Sequence, residues 1–173
     1  MIVVDPMRLR LSRNFRLNEF VYSVTAMKHG IMNLPDEDQL SALIALSNEV
    51  LQPVRDMFGP CVISSGLRVA ELNSLPEIGG ADGSQHVMGE AVDVRFTEND
   101  DLRIPFVWLS EEVNFDQLIW EFGKWVHVSY TTTRMPRGEV LTARKTETLG
   151  TVYTRVPRGD VWEVLRHERP AGV

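Results

Sequence analysis

Apolar residues recur at helical spacing most regularly over residues 36–58, where Leu40, Leu43, Ile44, Val50, Leu51 and Val54 follow a 3.6-residue period. This predicts an amphipathic helix. Asp36 or Asp38 is placed to cap its first turn, and Phe58-Gly59-Pro60 ends it, since proline cannot continue a helix and glycine readily terminates one. Elsewhere the period drops to two. Cys61 to Ser65 reads as a short strand, and Glu90 to Phe96 as a second, with Asp93 facing opposite to Val92 and Val94. Phe115–Glu121 and Trp125–Tyr130 flank Phe122-Gly123-Lys124, the pattern of a β-hairpin. A three-residue loop sets Glu121 opposite Trp125 and Ile119 opposite His127. Glu121 and His127 are then diagonal neighbours on one face, about 7–8 Å apart.

Weaker signals fill the gaps. Leu17 to Tyr22 suggests a short helix opened by Asn18, followed by a loop punctuated by Ser23, Asn33 and Pro35. Val69 to Leu72 begins another short helix. Gly79, Gly80, Asp82 and Gly83 make residues 76–85 a loop, and residues 97–110 read as a polar linker with a helical turn. Strands behind a packed helix predict an α+β domain, a small antiparallel sheet packed against helices, with Asp93, Glu121 and His127 on one face. Residues 1–130 form its core. Residues 131–173 are a C-terminal extension of the same single domain, adding a strand or two and a basic tail.

Composition narrows the partners. The chain has 173 residues, 43% of them hydrophobic, which suffices for one core. A net charge of -6 argues against nucleic acid as a partner, because phosphate attraction needs clustered Lys and Arg. Charge is uneven: residues 131–173 hold eight Lys and Arg against five Asp and Glu, leaving residues 1–130 at -9. The interspersed acids make the extension a solvated surface rather than a steering patch. A single cysteine excludes an intrachain disulfide and a Cys-rich zinc site, and Cys61 in its apolar stretch reads as a buried small hydrophobe. Met1-Ile2-Val3-Val4-Asp5 has no basic leader and its apolar run is far too short for a signal sequence, and no apolar stretch is long enough to span a bilayer. The expectation is cytoplasmic synthesis without a signal peptide, no membrane insertion, and a monomer. One short motif occurs twice: Arg134-Met135-Pro136-Arg137-Gly138-Glu139-Val140 returns as Arg155-Val156-Pro157-Arg158-Gly159-Asp160-Val161, which reads as two similar turns feeding two strands in preference to a pair of functional arginine-bearing loops, because proline and glycine already account for it.

The chemistry concentrates in two places. Ser84-Gln85-His86-Val87-Met88-Gly89-Glu90-Ala91-Val92-Asp93 offers an imidazole and a carboxylate, and Trp125-Val126-His127 a second imidazole. These are three ligands of the kind a catalytic zinc uses, with a fourth position left for water. A carboxylate between Val92 and Val94 must find a cation, a donor or a metal. The other two histidines, His29 and His167, have no comparable surroundings.

Ser84-x-His86-x-x-Gly89-x-Ala91-x-Asp93 followed by Trp125-x-His127 resembles the zinc D-alanyl-D-alanine carboxypeptidase and L-alanyl-D-glutamate peptidase family, which includes phage endolysins and shares its fold with the hedgehog signalling domain. Ser65-Gly66-Leu67-Arg68, Phe115 to Glu121, Asn14 to Phe20 and Leu51 to Arg55 extend the resemblance over roughly residues 11–130. The resemblance implies one zinc ion held by His86, Asp93 and His127. It implies Glu121 as general base and Arg68 as holder of a substrate carbonyl or carboxylate. Ser84 would be a supporting polar residue, and Trp125 lies on the His127 face as a wall of the cleft or as core. Gln85, Gln117 and Asn73 could line the same cleft. Many family members carry the catalytic glutamate three residues before the last histidine, where this chain has Lys124. Glu121 fits the other arrangement, with the base further back in the preceding strand, and the parity of Asp116 puts it on the opposite face from Glu121. The implied activity is a zinc metallopeptidase cleaving peptidoglycan stem peptides at the cell wall, as an endolysin does. The alternative is a zinc-containing, non-catalytic binding module on the same fold, against which the retained Glu121 argues.

Overall fold

A computed structural model describes residues 8–98 and 101–167. The Met1–Asp5 start, on which the signal-peptide expectation rests, and the end of the expected basic tail lie outside the described residues.

Asp36 caps the long helix as the sequence predicts. Its carboxylate accepts the Gln39 N–H at 2.8 Å, and its own N–H donates to Gln39 Oε1 at 2.9 Å, a reciprocal box. The helix is α3 (Glu37–Leu46), which runs through a π turn at Ser47–Leu51 into α4 (Gln52–Phe58). Pro53 lacks the N–H that would bond the Glu49 carbonyl, and the widened turn falls just before it. Leu43, Leu46, Val50, Leu51 and Val54 are fully buried, whereas Ile44 falls off that face and is exposed.

Two helices precede it. In α1 (Leu17–Val21) the opening residue is Arg16, not Asn18; its N–H is taken by Glu19 Oε1 at 2.7 Å. Ser23 is more than loop punctuation, since its hydroxyl accepts the Ala26 N–H and starts α2 (Val24–His29). After the first strand comes α5 (Ala70–Asn73). The expected helical turn after residue 97 is the full helix α6 (Arg103–Glu112), which buries Phe106 and Leu109.

Six strands follow the order β1-β2-β4-β3-β5-β6: β1 (Cys61–Ser65), β2 (Ala91–Phe96), β3 (Gln117–Glu121), β4 (Trp125–Ser129), β5 (Glu139–Thr146) and β6 (Gly150–Arg155). The hairpin register is the expected one, Glu121 opposite Trp125 and Ile119 opposite His127. The sheet departs from a purely antiparallel one at a single pairing, β3 with β5, which is parallel. Residues 130–138 cause this: they carry the chain from the end of β4 across the start of β3 and release it on the far side. There Gly138 N–H donates to Phe115 O and Glu139 N–H to Asp116 O. The second copy of the Pro-Arg-Gly turn leads into α7 (Val161–Leu165) rather than a strand. It braces the first copy: the Arg158 guanidinium lies 4.5 Å over the Phe115 ring, and its Nε donates to Gly138 O at 3.4 Å.

The two faces of the sheet divide by parity. Val92, Val94, Leu118, Trp120, Val126, Val128 and Val140 point into the core with the helical residues Leu43, Val50, Phe106 and Leu165. Asp93, Gln117, Ile119, Glu121, Trp125, His127, Leu141 and Tyr153 point the other way, into an open cleft. No helix among the described residues is long and apolar enough to cross a membrane. Cys61 is buried, and burial pushes its thiol up to about 11, as befits a small hydrophobe.

Candidate functional site

Three side chains meet at the β2–β4 end of the cleft. Asp93 on β2 and His127 on β4 are directly paired across the ladder, on the face away from the core. His86 reaches them from the glycine-rich loop before β2. Two close backbone approaches set that loop. Gly89 takes φ 70° with its α-carbon pressed on the Gln39 carbonyl of α3, where a Cβ would come within 2.6 Å of the oxygen. A Cβ on Gly66 would lie 2.4 Å from the Phe20 carbonyl oxygen, so the chain after β1 is also held against α1.

One ligand atom from each of His86, Asp93 and His127 lies within 4.8 Å of the others. His127 Nδ1 is 2.9 Å and His86 Nε2 3.5 Å from the same oxygen, Asp93 Oδ1. The other nitrogen of His86, Nδ1, lies 2.7 Å from the Gly66 carbonyl, which can only accept, so Nδ1 carries the proton. In the neutral ring, Nε2 then presents a lone pair toward Asp93 Oδ1 with no proton between them. Burial lowers the His86 pKa ahead of the opposing pull of Asp93, which favours that neutral, ligand-competent form. Burial alone would raise the Asp93 carboxyl, but the hydrogen bond from His127 opposes this most strongly, and the carboxyl lies below the usual range. In the tautomer that frees His127 Nδ1 of its proton, two nitrogens and one oxygen converge, and this donor set suits zinc.

Arg68 ties the ligands in place. Its Nη2 donates to Asp93 Oδ2 at 3.0 Å, its Nε to Ser65 Oγ at 2.9 Å, and its backbone N–H to the His86 carbonyl at 3.1 Å. The salt bridge that competes with a substrate-anchoring role is therefore made to the ligand carboxylate itself. Of the five guanidinium N–H donors, one is spent on Asp93 and one on Ser65, leaving three, among the described residues.

Glu121, at the end of β3, is 8% exposed and lines the same cleft. Burial raises its pKa; the charges of His127 and Arg68 oppose this, and Asp93 adds to it. Across the sheet Glu121 pairs with Ala143, and Ala143 with Tyr153, so the small alanine separates the carboxylate from the tyrosine on one face. The Tyr153 hydroxyl is raised first by burial and then by the charges of Glu121 and Asp93. Trp125 is half-buried in the cleft wall, with Arg95 5.9 Å over its ring and Phe122 against its edge. Ser84 sits in the turn delivering His86 and lines the cleft, as do Gln85 and Gln117. Asn73 does not line it; its amide donates to the Ala81 carbonyl and props the glycine loop from behind.

Asp116 has no place at the metal centre. Its side chain is fully buried and takes the guanidinium groups of Arg134 and Arg137. Sequence reasoning missed that role, and also missed Glu90, a buried acid accepting from Thr131 Oγ1 at 2.5 Å and Gln85 Nε2 at 3.0 Å. Together these groups tie the His86 loop to residues 130–138. The cleft, about 1010 Å³, lies at the upper end of the roughly 300–1,000 Å³ of small-ligand sites.

The sequence profile of the Peptidase M15 family matches residues 13–129. The match ends with β4, so β5, β6 and α7 lie beyond it. No curated protein matched the chain.

Proposed function

The chain belongs to the Peptidase M15 family, and from that premise we propose that it is a zinc-dependent peptidase cleaving peptidoglycan stem peptides at the cell wall, in the manner of a phage endolysin. The family implies the DD-peptidase and hedgehog type of fold, which agrees with the mixed sheet and its helices. One observation carries the functional reading: a buried carboxylate with a raised pKa, Glu121, shares an open sheet face with a converging His-Asp-His set.

His86, Asp93 and His127 would hold the metal. Zinc bound there supplies Lewis acidity and lowers the pKa of water toward about 7. Glu121 takes the proton of the attacking water and returns it to the leaving amine. A C–O bond forms as the peptide C–N bond breaks, and the products are a carboxylate and an amine. Burial raises the Glu121 pKa, which makes it a stronger base than a solvated carboxylate and suits it to take the first proton and pass it on. Arg68 keeps Asp93 oriented, and its remaining donors meet the carbonyl oxygen as negative charge develops, or a terminal carboxylate of the peptide. Trp125 and Ser84 wall the cleft beside the scissile bond. A binding module that used zinc only for structure would have no need of Glu121.

The test is digestion of purified peptidoglycan with mass analysis of the products, comparing wild type and Glu121→Gln at equal zinc content. Wild type releases stem-peptide fragments whose masses identify the cleaved bond, and the variant is slower by about 10²–10⁴-fold. Equal rates would remove Glu121 from the mechanism. A zinc-loaded wild type that digests nothing would favour the binding module.

A further inference from the structure

The segment beyond the family match builds the other end of the cleft. Residues 130–138 cross the start of β3, and Arg134 and Arg137 from this crossing line the same cavity as the metal ligands. Both are organised from beneath by Asp116, whose side chain is 0% exposed. Its carboxylate accepts from Arg134 Nη1 and, at 2.7 Å, from Arg134 Nη2. It also accepts the Arg137 backbone N–H at 2.9 Å, Nε at 3.0 Å and Nη2 at 2.6 Å. One buried negative charge thus positions two guanidinium groups, whose side chains remain 44% and 43% exposed.

The two arginines differ in what they have left to offer. Arg137 is committed further, to Glu139 through Nη1 and to Gln85 through Nη2. Arg134 spends two of its five donors on Asp116 and keeps three, among the described residues. Glu90 is the nearby acid whose charge reaches Arg134, but its carboxylate accepts from Thr131 and Gln85. A guanidinium pinned on one edge and open on the other binds a carboxylate without losing the rotamer entropy that a free arginine would. The strand register sets its place. Asp116 precedes Ile119, the partner of His127, by three residues, or about 10 Å along the strand. An extended peptide covers that span in about three residues.

Resting on the peptidase reading, we propose that Arg134 binds a carboxylate of the substrate peptide two to three residues from the scissile bond. The enzyme therefore favours peptides with a free carboxylate there over the same peptides with a carboxamide.

The test uses such a matched pair of peptides with the zinc-loaded full chain, its Arg134→Gln and Arg134→Lys variants, and calorimetric binding of both peptides to a Glu121→Gln background. Wild type shows a KM about tenfold lower for the carboxylate peptide at similar kcat. Arg134→Gln abolishes that ratio by raising KM for the carboxylate peptide alone, and Arg134→Lys, which keeps the charge should the glutamine variant fold poorly, retains part of it. The same ratio appears in Kd. A wild type without the preference, or an Arg134→Gln variant that keeps it, overturns the proposal. If neither peptide is cleaved yet the Kd ratio depends on Arg134, the peptidase reading fails and the carboxylate site stands.

Discussion

Two buried aspartates organise the two ends of one cleft, and they do so with opposite kinds of partner. Asp93 gathers two imidazoles and one arginine, and Asp116 gathers two arginines. Imidazoles can be neutral, so the Asp93 cluster keeps lone pairs that only a cation can satisfy together. Guanidinium groups are permanent cations, so the Asp116 cluster is already neutralised and has no use for a metal. The same residue type, on β2 in one case and just before β3 in the other, is a ligand at one end and a clamp at the other because the imidazoles can give up a proton and the guanidinium groups cannot.

The largest effect separating the two should come from Asp93→Ala. Loss of the shared ligand should remove zinc and lower peptide cleavage by at least about a thousandfold. Asp116→Ala should leave zinc content at the wild-type level and act on stability instead. Its arginines are partly exposed and can be rehydrated, which discounts the loss to about 2 kcal/mol. In a thermal scan the unfolding midpoint should drop by roughly 5 °C. If Asp116→Ala empties the metal centre, the two ends are not independent.

The smallest effect is in the pH dependence of stability. Burial would raise the Asp116 carboxyl, but the two arginines and the Arg137 N–H hold it below its ordinary 3.8. A depressed folded-state pKa contributes stability that is fully present above the unfolded value and is lost as pH falls through the folded one. Resistance of the wild type to denaturant should therefore fall as pH drops below about 4, and Asp116→Asn should flatten that slope. An unchanged slope would show that the clamp does not hold the carboxylate ionised.

The metal end of the cleft was more legible in the sequence than the arginine end. Period-two alternation placed Asp93 and His127 on one face, and the three-residue Phe122-Gly123-Lys124 loop fixed Glu121 relative to both, because these are local consequences of strand geometry. Asp116 was excluded as a base, but its partners lie 18 and 21 residues away, and no period records that contact. The repeated Pro-Arg-Gly turn was the available signal, and it read as turn chemistry because proline and glycine alone account for it. The parallel β5 was hidden for a related reason, since strand direction depends on where residues 130–138 cross. Helix α2 escaped because only Ala26 of its six residues is buried, leaving no apolar stripe. The π turn at Ser47–Leu51 left no mark that an ordinary helical period could reveal.

The most direct test is a zinc titration of the metal-free chain during stem-peptide cleavage, with Asp93→Ala in parallel. The His86-Asp93-His127 centre predicts cleavage rising to a plateau at one zinc per chain, with the variant at background throughout. Cleavage that does not depend on zinc, or a variant that titrates as wild type does, would contradict it.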